Sequence, residues 1–111
     1  MAEERLSNLL AALPAGSGCE EIVSQVLDRA HLRIERIVST GQASPPGFWY
    51  DQEEGEWVVV LEGAARLLIE GEAEPRFIGH GDFVDLPAHA RHRVEWTDPD
   101  VPTVWLAVFY R

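Results

Sequence analysis

The chain has 111 residues, 46% of them hydrophobic, and a formal net charge of −10. That length fits one domain, and that apolar content fills a core without disulfide or metal staples. The acidic balance argues against nucleic acid, whose phosphates need Lys and Arg contacts; all nine basic residues are arginines, which excludes lysine Schiff-base chemistry and a Walker-type phosphate loop.

The chain opens Met-Ala-Glu-Glu-Arg, which is not the basic start of a signal peptide. No apolar stretch is long enough to span a bilayer. A cytoplasmic location, with no membrane partner, is the expectation. Leu6, Leu9, Leu10 and Leu13 fall at helical spacing and predict a short amphipathic helix over Glu3 to Leu13. Pro14 and Gly16-Ser17-Gly18 end it, so 1–18 reads as a helical lead-in and 19–111 as the body of the domain. The single cysteine, Cys19, rules out an internal disulfide and fits a reducing compartment. No basic residue stands near it to lower its pKa, so it is not read as a nucleophile.

From Glu20 to Asp28 the spacing suits either a helix or a strand; the strand is preferred for its Val and Ile content. From His31, Leu32 and Ile34 alternate with Arg33 and Glu35, and Ile37-Val38 breaks the alternation, which suggests a bulge there. A hairpin turn near Arg29-Ala30 joins the two strands. Pro45-Pro46-Gly47 marks a loop. A row of side-chain oxygens follows, from Tyr50 to Glu56, and leads into the apolar run Trp57 to Leu61, closed by Gly63. Further strands are predicted at Ala64 to Glu70, Arg76 to Ile78, Phe83 to Leu86, His92 to Thr97 and Val104 to Tyr110, separated by Gly, Pro and Asp turns. Eight or nine short strands with such turns predict an all-β sandwich or barrel.

The order of turns and polar residues resembles the cupins, small jelly-roll barrels. Their first motif has a Gly, a His-x-His pair, a Glu and a final Gly; Glu56 and Gly63 have the closing spacing, and Tyr50 and Gln52 fall on the two histidine places. The upstream Gly is Gly41 or Gly47. In the second motif Gly81, Pro87 and His92 are in register, while His89 replaces a Gly and Trp96 an Asn. The segments Trp-Tyr-Asp-Gln and Pro-Ala-His-x-x-His-Arg-Val are similar to those of a group of small bacterial cupins. The resemblance implies an all-β, cupin-type jelly-roll barrel (double-stranded β-helix) and a divalent metal, Fe, Mn, Ni, Zn or Cu, on Gln52, Glu56 and His92. It also implies a small-molecule substrate and, in line with an apolar last strand that needs cover on both faces, a homodimer.

Tyr50, His89 and Trp96 are candidates for further ligand or pocket residues. Trp96 follows His92 on its face and is the first choice among the four tryptophans for lining the pocket. The plain alternative for Glu56, His92 and Gln52 is a hydrogen-bonded polar cluster in the barrel mouth; for His89, His31 and His80 it is exposure to solvent. Arg91 and Arg93 either hold a substrate carboxylate or cover the acidic exterior. Two functions follow. One is a metal-dependent dioxygenase or isomerase acting on a small molecule. The other is a metal-free cupin that binds a small ligand as a sensor or sequestering protein.

Overall fold

A computed structural model of the chain describes residues 8–14, 18 and 20–111. Eight strands follow in order: β1 (Ile22–Arg29), β2 (Leu32–Ser39), β3 (Gly55–Glu62), β4 (Ala64–Ile69), β5 (Arg76–Gly79), β6 (Phe83–Leu86), β7 (His92–Thr97) and β8 (Thr103–Tyr110). They form two sheets, one of order β1-β2-β8-β3-β6 and one of order β5-β4-β7. All pairings are antiparallel. This is the all-β class that the turn spacing predicts and the jelly roll that the resemblance implies.

The sheets face each other across an apolar core. Val58 and Val60 of β3, Leu86 of β6 and Trp105, Ala107 and Phe109 of β8 meet Ala65 and Leu67 of β4 and Ile78 of β5. Each set sits at alternate positions, the period-2 pattern of a sheet with one buried face. The chain leaves the large sheet for the small one at Gly63. Its φ is +87°, and a Cβ there would stand 2.6 Å from the Thr103 Cα and 2.7 Å from the Pro102 carbonyl oxygen. Only glycine allows both the left-handed backbone and that approach.

Two sequence expectations need correction. The irregularity placed at Ile37-Val38 lies elsewhere: β2 pairs with β8 without a break from Leu32 to Ser39, and the register of β1 shifts between Gln25 and Leu27. Both faces of β2 are covered at this end. Ile37 faces inward, and Val38 on the other face is only 1% exposed. Two adjacent apolar residues therefore need no bulge.

The helix is the second correction. Glu3 to Ser7, like Cys19, lies outside the described residues. Asn8 to Leu13 form a turn and bends, not a helix. The Asn8 side chain accepts a hydrogen bond from the Leu10 amide (2.8 Å), a local bond that competes with helix. The Leu9 and Ala11 carbonyls accept from the buried Arg36 guanidinium at 3.3 and 2.5 Å. A tertiary cation thus takes oxygens that a helix would spend on its own amides. The segment still lies over the outer face of β2, as a cover. Among the described residues, no helix is long and apolar enough to cross a membrane.

Candidate functional site

The loop after β2 returns along the edge of β7 and carries two site residues with it. Ser44 donates its amide to Val94 O (2.8 Å), and its hydroxyl accepts from the Val94 amide (2.9 Å). Six residues on, Tyr50 and His92 bond backbone to backbone in both directions, at 2.7 and 3.2 Å. This pairing brings the Tyr50 ring to 5.2 Å from the His92 imidazole, stacked at 22°. Phe48 meets the same tyrosine edge-on at 4.9 Å.

Glu56 comes from the other sheet. It is opposite Phe109 on β8 and Leu86 on β6, so its side chain shares their inward face. A cavity of about 240 Å³ opens between the sheets, and Tyr50, Gln52, Glu56 and His92 all line it. The remaining lining is apolar for the most part, with Leu67, Leu86, Trp105 and Phe109 among it, and two carboxylates are added by Glu21, just before β1, and Glu35 of β2. A second hollow of about 260 Å³ adjoins it and shares Glu21, Tyr50 and Val94.

His92 is held for proton exchange at one nitrogen. Its Nδ1 lies 2.8 Å from the Ala90 carbonyl oxygen, which can only accept, so Nδ1 keeps its hydrogen in either charge state. Nε2 is then the atom that gains and loses a proton, and it faces Glu56 Oε1 at 3.4 Å. Burial, the largest single influence, pulls the His92 pKa down; the Glu56 hydrogen bond, the Ala90 carbonyl and the Glu56 charge together outweigh it, and the net shift is upward from 6.5. The Tyr50 hydroxyl is pushed above its usual 10.0, first by burial and then by the charges of Glu21 and Glu56. It stays protonated and can donate.

His89 and Trp96 do not join this group. His89 stands where the second motif has a glycine, and its φ of 65° shows why glycine suits the place. The tight turn from Pro87 to Ala90 points its ring outward, where Nδ1 donates to Asp51 at 2.7 Å. Trp96 is turned out by a register shift. Leu67 pairs with Val94 but Arg66 with Trp96, so Glu95 is an extra residue and the alternation flips after it. Trp96 then packs under the Arg66 guanidinium, 5.2 Å from its ring centroid. The pocket tryptophan is Trp105. Arg91 pairs with Glu70 and Arg93 with Glu95, both on the exterior, where both also lie over Trp49. His31 and His80 are exposed.

Sequence reasoning missed Glu21, Glu35 and their support. Glu35 is two places from Ile37, which also lines the cavity, and that alternation is a signal that could have found it. Glu21 is anchored from below: the Trp105 indole donates to the Ser39 hydroxyl at 3.0 Å, and that hydroxyl donates to the Glu21 carboxylate.

The donor set falls short of a metal centre. Gln52, Glu56 and His92 supply one amide, one carboxylate and one imidazole, and the two motif places that would add imidazoles hold Tyr50 and Gln52. Among the described residues, no group of three His, Cys, Asp or Glu side chains could hold a metal ion. A transition-metal site of this chemistry draws on more imidazole or carboxylate than that.

The model of the cupin domain family matches residues 36–109. Among solved structures, a Ralstonia eutropha JMP134 protein named a putative mannose-6-phosphate isomerase is 50% identical, with a TM-score of 0.91, 96% of this chain covered and 98% of that one. A cupin superfamily protein from Desulfitobacterium hafniense DCB-2 shares the fold at 14% identity, with a TM-score of 0.73 over 99% of this chain and 94% of that one. A RmlC-like cupin with a double-stranded β-helix fold from Methanocaldococcus jannaschii does so at 18% identity, with a TM-score of 0.67 over 84% and 82%. None of the curated proteins matches. With the family match covering two thirds of the chain, from the second half of β2 into β8 and through both motif segments, the chain belongs to the cupin domain family.

Proposed function

We propose that the cavity binds a small molecule and that the Glu56–His92 pair, with Tyr50, moves a proton on it, the chemistry of an isomerase. One observation carries this reading. His92 Nε2 is the only protonation site left open on a buried imidazole, and it faces both a carboxylate and the cavity. Such a pair works as a general acid and base when its pKa lies near the working pH, and contributes about 10²–10⁴-fold to rate. The base takes the proton from the carbon beside a carbonyl; the C–H electron pair forms a C=C bond while the C=O π pair moves onto the carbonyl oxygen, which takes up a proton. The neighbouring hydroxyl then gives up its proton and becomes the new C=O as the C=C pair takes a proton back at the former carbonyl carbon. Tyr50 donates a hydrogen bond to the oxygen that gathers charge in between. The Ralstonia eutropha protein is named a putative mannose-6-phosphate isomerase, and an isomerisation agrees with this type of step.

The test is hydrogen exchange in heavy water. The protein is incubated with mannose and fructose, and loss of the carbon-bound proton signal is followed. Exchange that drops at least about 100-fold in Glu56→Gln and His92→Gln supports the assignment. Exchange that is absent from the wild type, or indifferent to both substitutions, removes it. The metal-dependent reading has one observation in its favour, the convergence of Gln52, Glu56 and His92 on one cavity. Elemental analysis decides it: one equivalent of Fe, Mn, Ni, Zn or Cu, lost in His92→Ala, would replace proton transfer by metal chemistry.

The homodimer is also our proposal. On the outer face of the large sheet Val59 is opposite both Phe83 and Leu106, and Trp57 is opposite Val108. Phe83 is 63% exposed and lies 5.5 Å from the Trp57 ring. An apolar strip of this kind suits a second copy. Light scattering that gives a monomer at micromolar concentration removes it.

A further inference from the structure

We propose that Arg93 positions Tyr50: its guanidinium clasps the turn ahead of that tyrosine and so fixes the phenol ring against His92. This deepens the proton-transfer reading and rests on it for the part that Tyr50 plays.

The loop after β2 is tied to β7 at two places. Ser44 holds Val94 and Tyr50 holds His92, each through a pair of hydrogen bonds. His92 and Val94 both line the cavity, so Arg93 between them points to the outer face. Between the two ties the loop has five residues, Pro45 to Trp49, where β7 has only Arg93. The loop must therefore bow away from the strand. Pro45 and Pro46 bring no amide hydrogen to this bow, and the Phe48 amide turns back to the Pro45 carbonyl at 3.0 Å. The carbonyls of the bow are out of reach of the amides of β7 and need another donor.

Arg93 is that donor. Its Nη1 donates to the Pro45 and Phe48 carbonyls, both at 3.1 Å, and its Nη2 to the Ser44 carbonyl at 3.2 Å. Glu95 holds Nε at 2.5 Å, and the Trp49 ring lies beneath at 6.0 Å. Only 14% of the Arg93 side chain is exposed, although it stands on the outer face. Such charge-assisted bonds are stronger than neutral ones. A planar fork reaches all these acceptors at once; a lysine, with its donors on one atom, does not.

The clasp reaches the site through Phe48. Two contacts hold the half-exposed Tyr50 ring, Phe48 on its edge and His92 on its face. The backbone ties place the Tyr50 Cα but leave the ring free to turn. Tyr50 also lines the adjoining hollow, which gives a released ring somewhere to go. A displaced donor loses rate steeply, by as much as about 10²-fold for 1 Å.

The carbon-bound Hε1 of His92 reads the ring by NMR. A stacked phenol shifts this proton upfield, and Tyr50→Leu supplies the unshifted reference. Spectra are taken at the acid end of the His92 titration, so that a change of pKa does not move the signal. Arg93→Gln is expected to carry the signal at least half of the way to the reference. Phe48→Ala, which keeps the clasp but removes the contact, does the same. Arg66→Gln, an exterior arginine stacked on Trp96, leaves the signal in place. If Arg93→Gln does not fold, Arg93→Lys is read instead, with a displacement of the same direction. A folded Arg93 variant or a Phe48→Ala protein with the wild-type signal overturns the inference, and so does an equal displacement in Arg66→Gln. In the hydrogen-exchange assay Arg93→Gln slows turnover about 10-fold, with KM changed less than about 2-fold. The two readings fail separately. A displaced signal without exchange in the wild type keeps the clasp and sinks proton transfer alone. Exchange that needs Glu56 and His92, with a His92 signal indifferent to Arg93 and Phe48, sinks the positioning alone.

Discussion

Tyr50 and His92 are joined twice, through two backbone hydrogen bonds and through their stacked rings at 5.2 Å. The loop and β7 therefore place an acid and an imidazole as one unit. Glu56 then sets the charge of that unit from the opposite sheet.

Glu56→Gln removes the charge that raises the His92 pKa and leaves only a neutral acceptor in place of the carboxylate, so burial gains the upper hand. The pKa should fall below its wild-type value. An imidazole proton titration by NMR reads the change; a titration curve that does not move downward contradicts the pairing.

The raised His92 pKa also makes stability depend on pH. The folded value lies above that of the unfolded chain, near 6.5. The group's contribution is then whole below about pH 6.5 and is lost as pH rises through the folded value. His92→Gln should flatten this part of the stability–pH curve. Urea denaturation at half-unit steps from pH 5.5 to 9 checks it, and a wild-type contribution that grows with pH across this window would reverse the assigned sign.

Gly63 and Gly71 both have positive φ, +87° and +97°, but only Gly63 has backbone within reach of a Cβ. Gly71→Ala pays the conformational cost alone, about 1 kcal/mol. Gly63→Ala must also push Thr103 and Pro102 away, and is expected to cost at least about 2 kcal/mol more. Thermal melts of the two variants, with equal losses as the adverse outcome, compare the positions.

Ser39→Ala leaves two buried or half-buried groups short of a partner, the Trp105 indole and the Glu21 carboxylate. The expected loss is about 1–3 kcal/mol by chemical denaturation. A change under about 0.5 kcal/mol would show that the chain of bonds contributes little.

His89→Gly relieves a left-handed backbone at a residue whose side chain makes one exposed contact. The variant should be unchanged or stabilised by up to about 1 kcal/mol. Ligand affinity should not change, because His89 lies outside the cavity. A drop in affinity would place it back in the site.

Much of the barrel is legible in the residues. β6 and β7 fall on their predicted limits because Asp82, Pro87 and Asp98 punctuate alternating runs. Tyr50, Gln52, Glu56 and His92 converge because motif offsets fix which strand positions face inward. Trp96 fails for a reason no single strand reveals: His92, Val94 and Trp96 alternate perfectly, and the extra residue at Glu95 appears only when β7 is laid against β4. The lead-in fails through tertiary competition, since Leu spacing says helix while Arg36 takes the carbonyls. Glu21 and Glu35 read as ordinary surface acids until β1 and β2 close over the cavity.

Trp105 gives the barrel a built-in reporter. Its indole proton is tied through one hydroxyl to a carboxylate that lines the cavity. Any guest that pairs with Glu21 must redistribute that short chain, and with it the electronic surroundings of the ring. Occupancy should then be visible in the intrinsic fluorescence of a protein that carries Trp105 as its sole tryptophan, without a dye or a label.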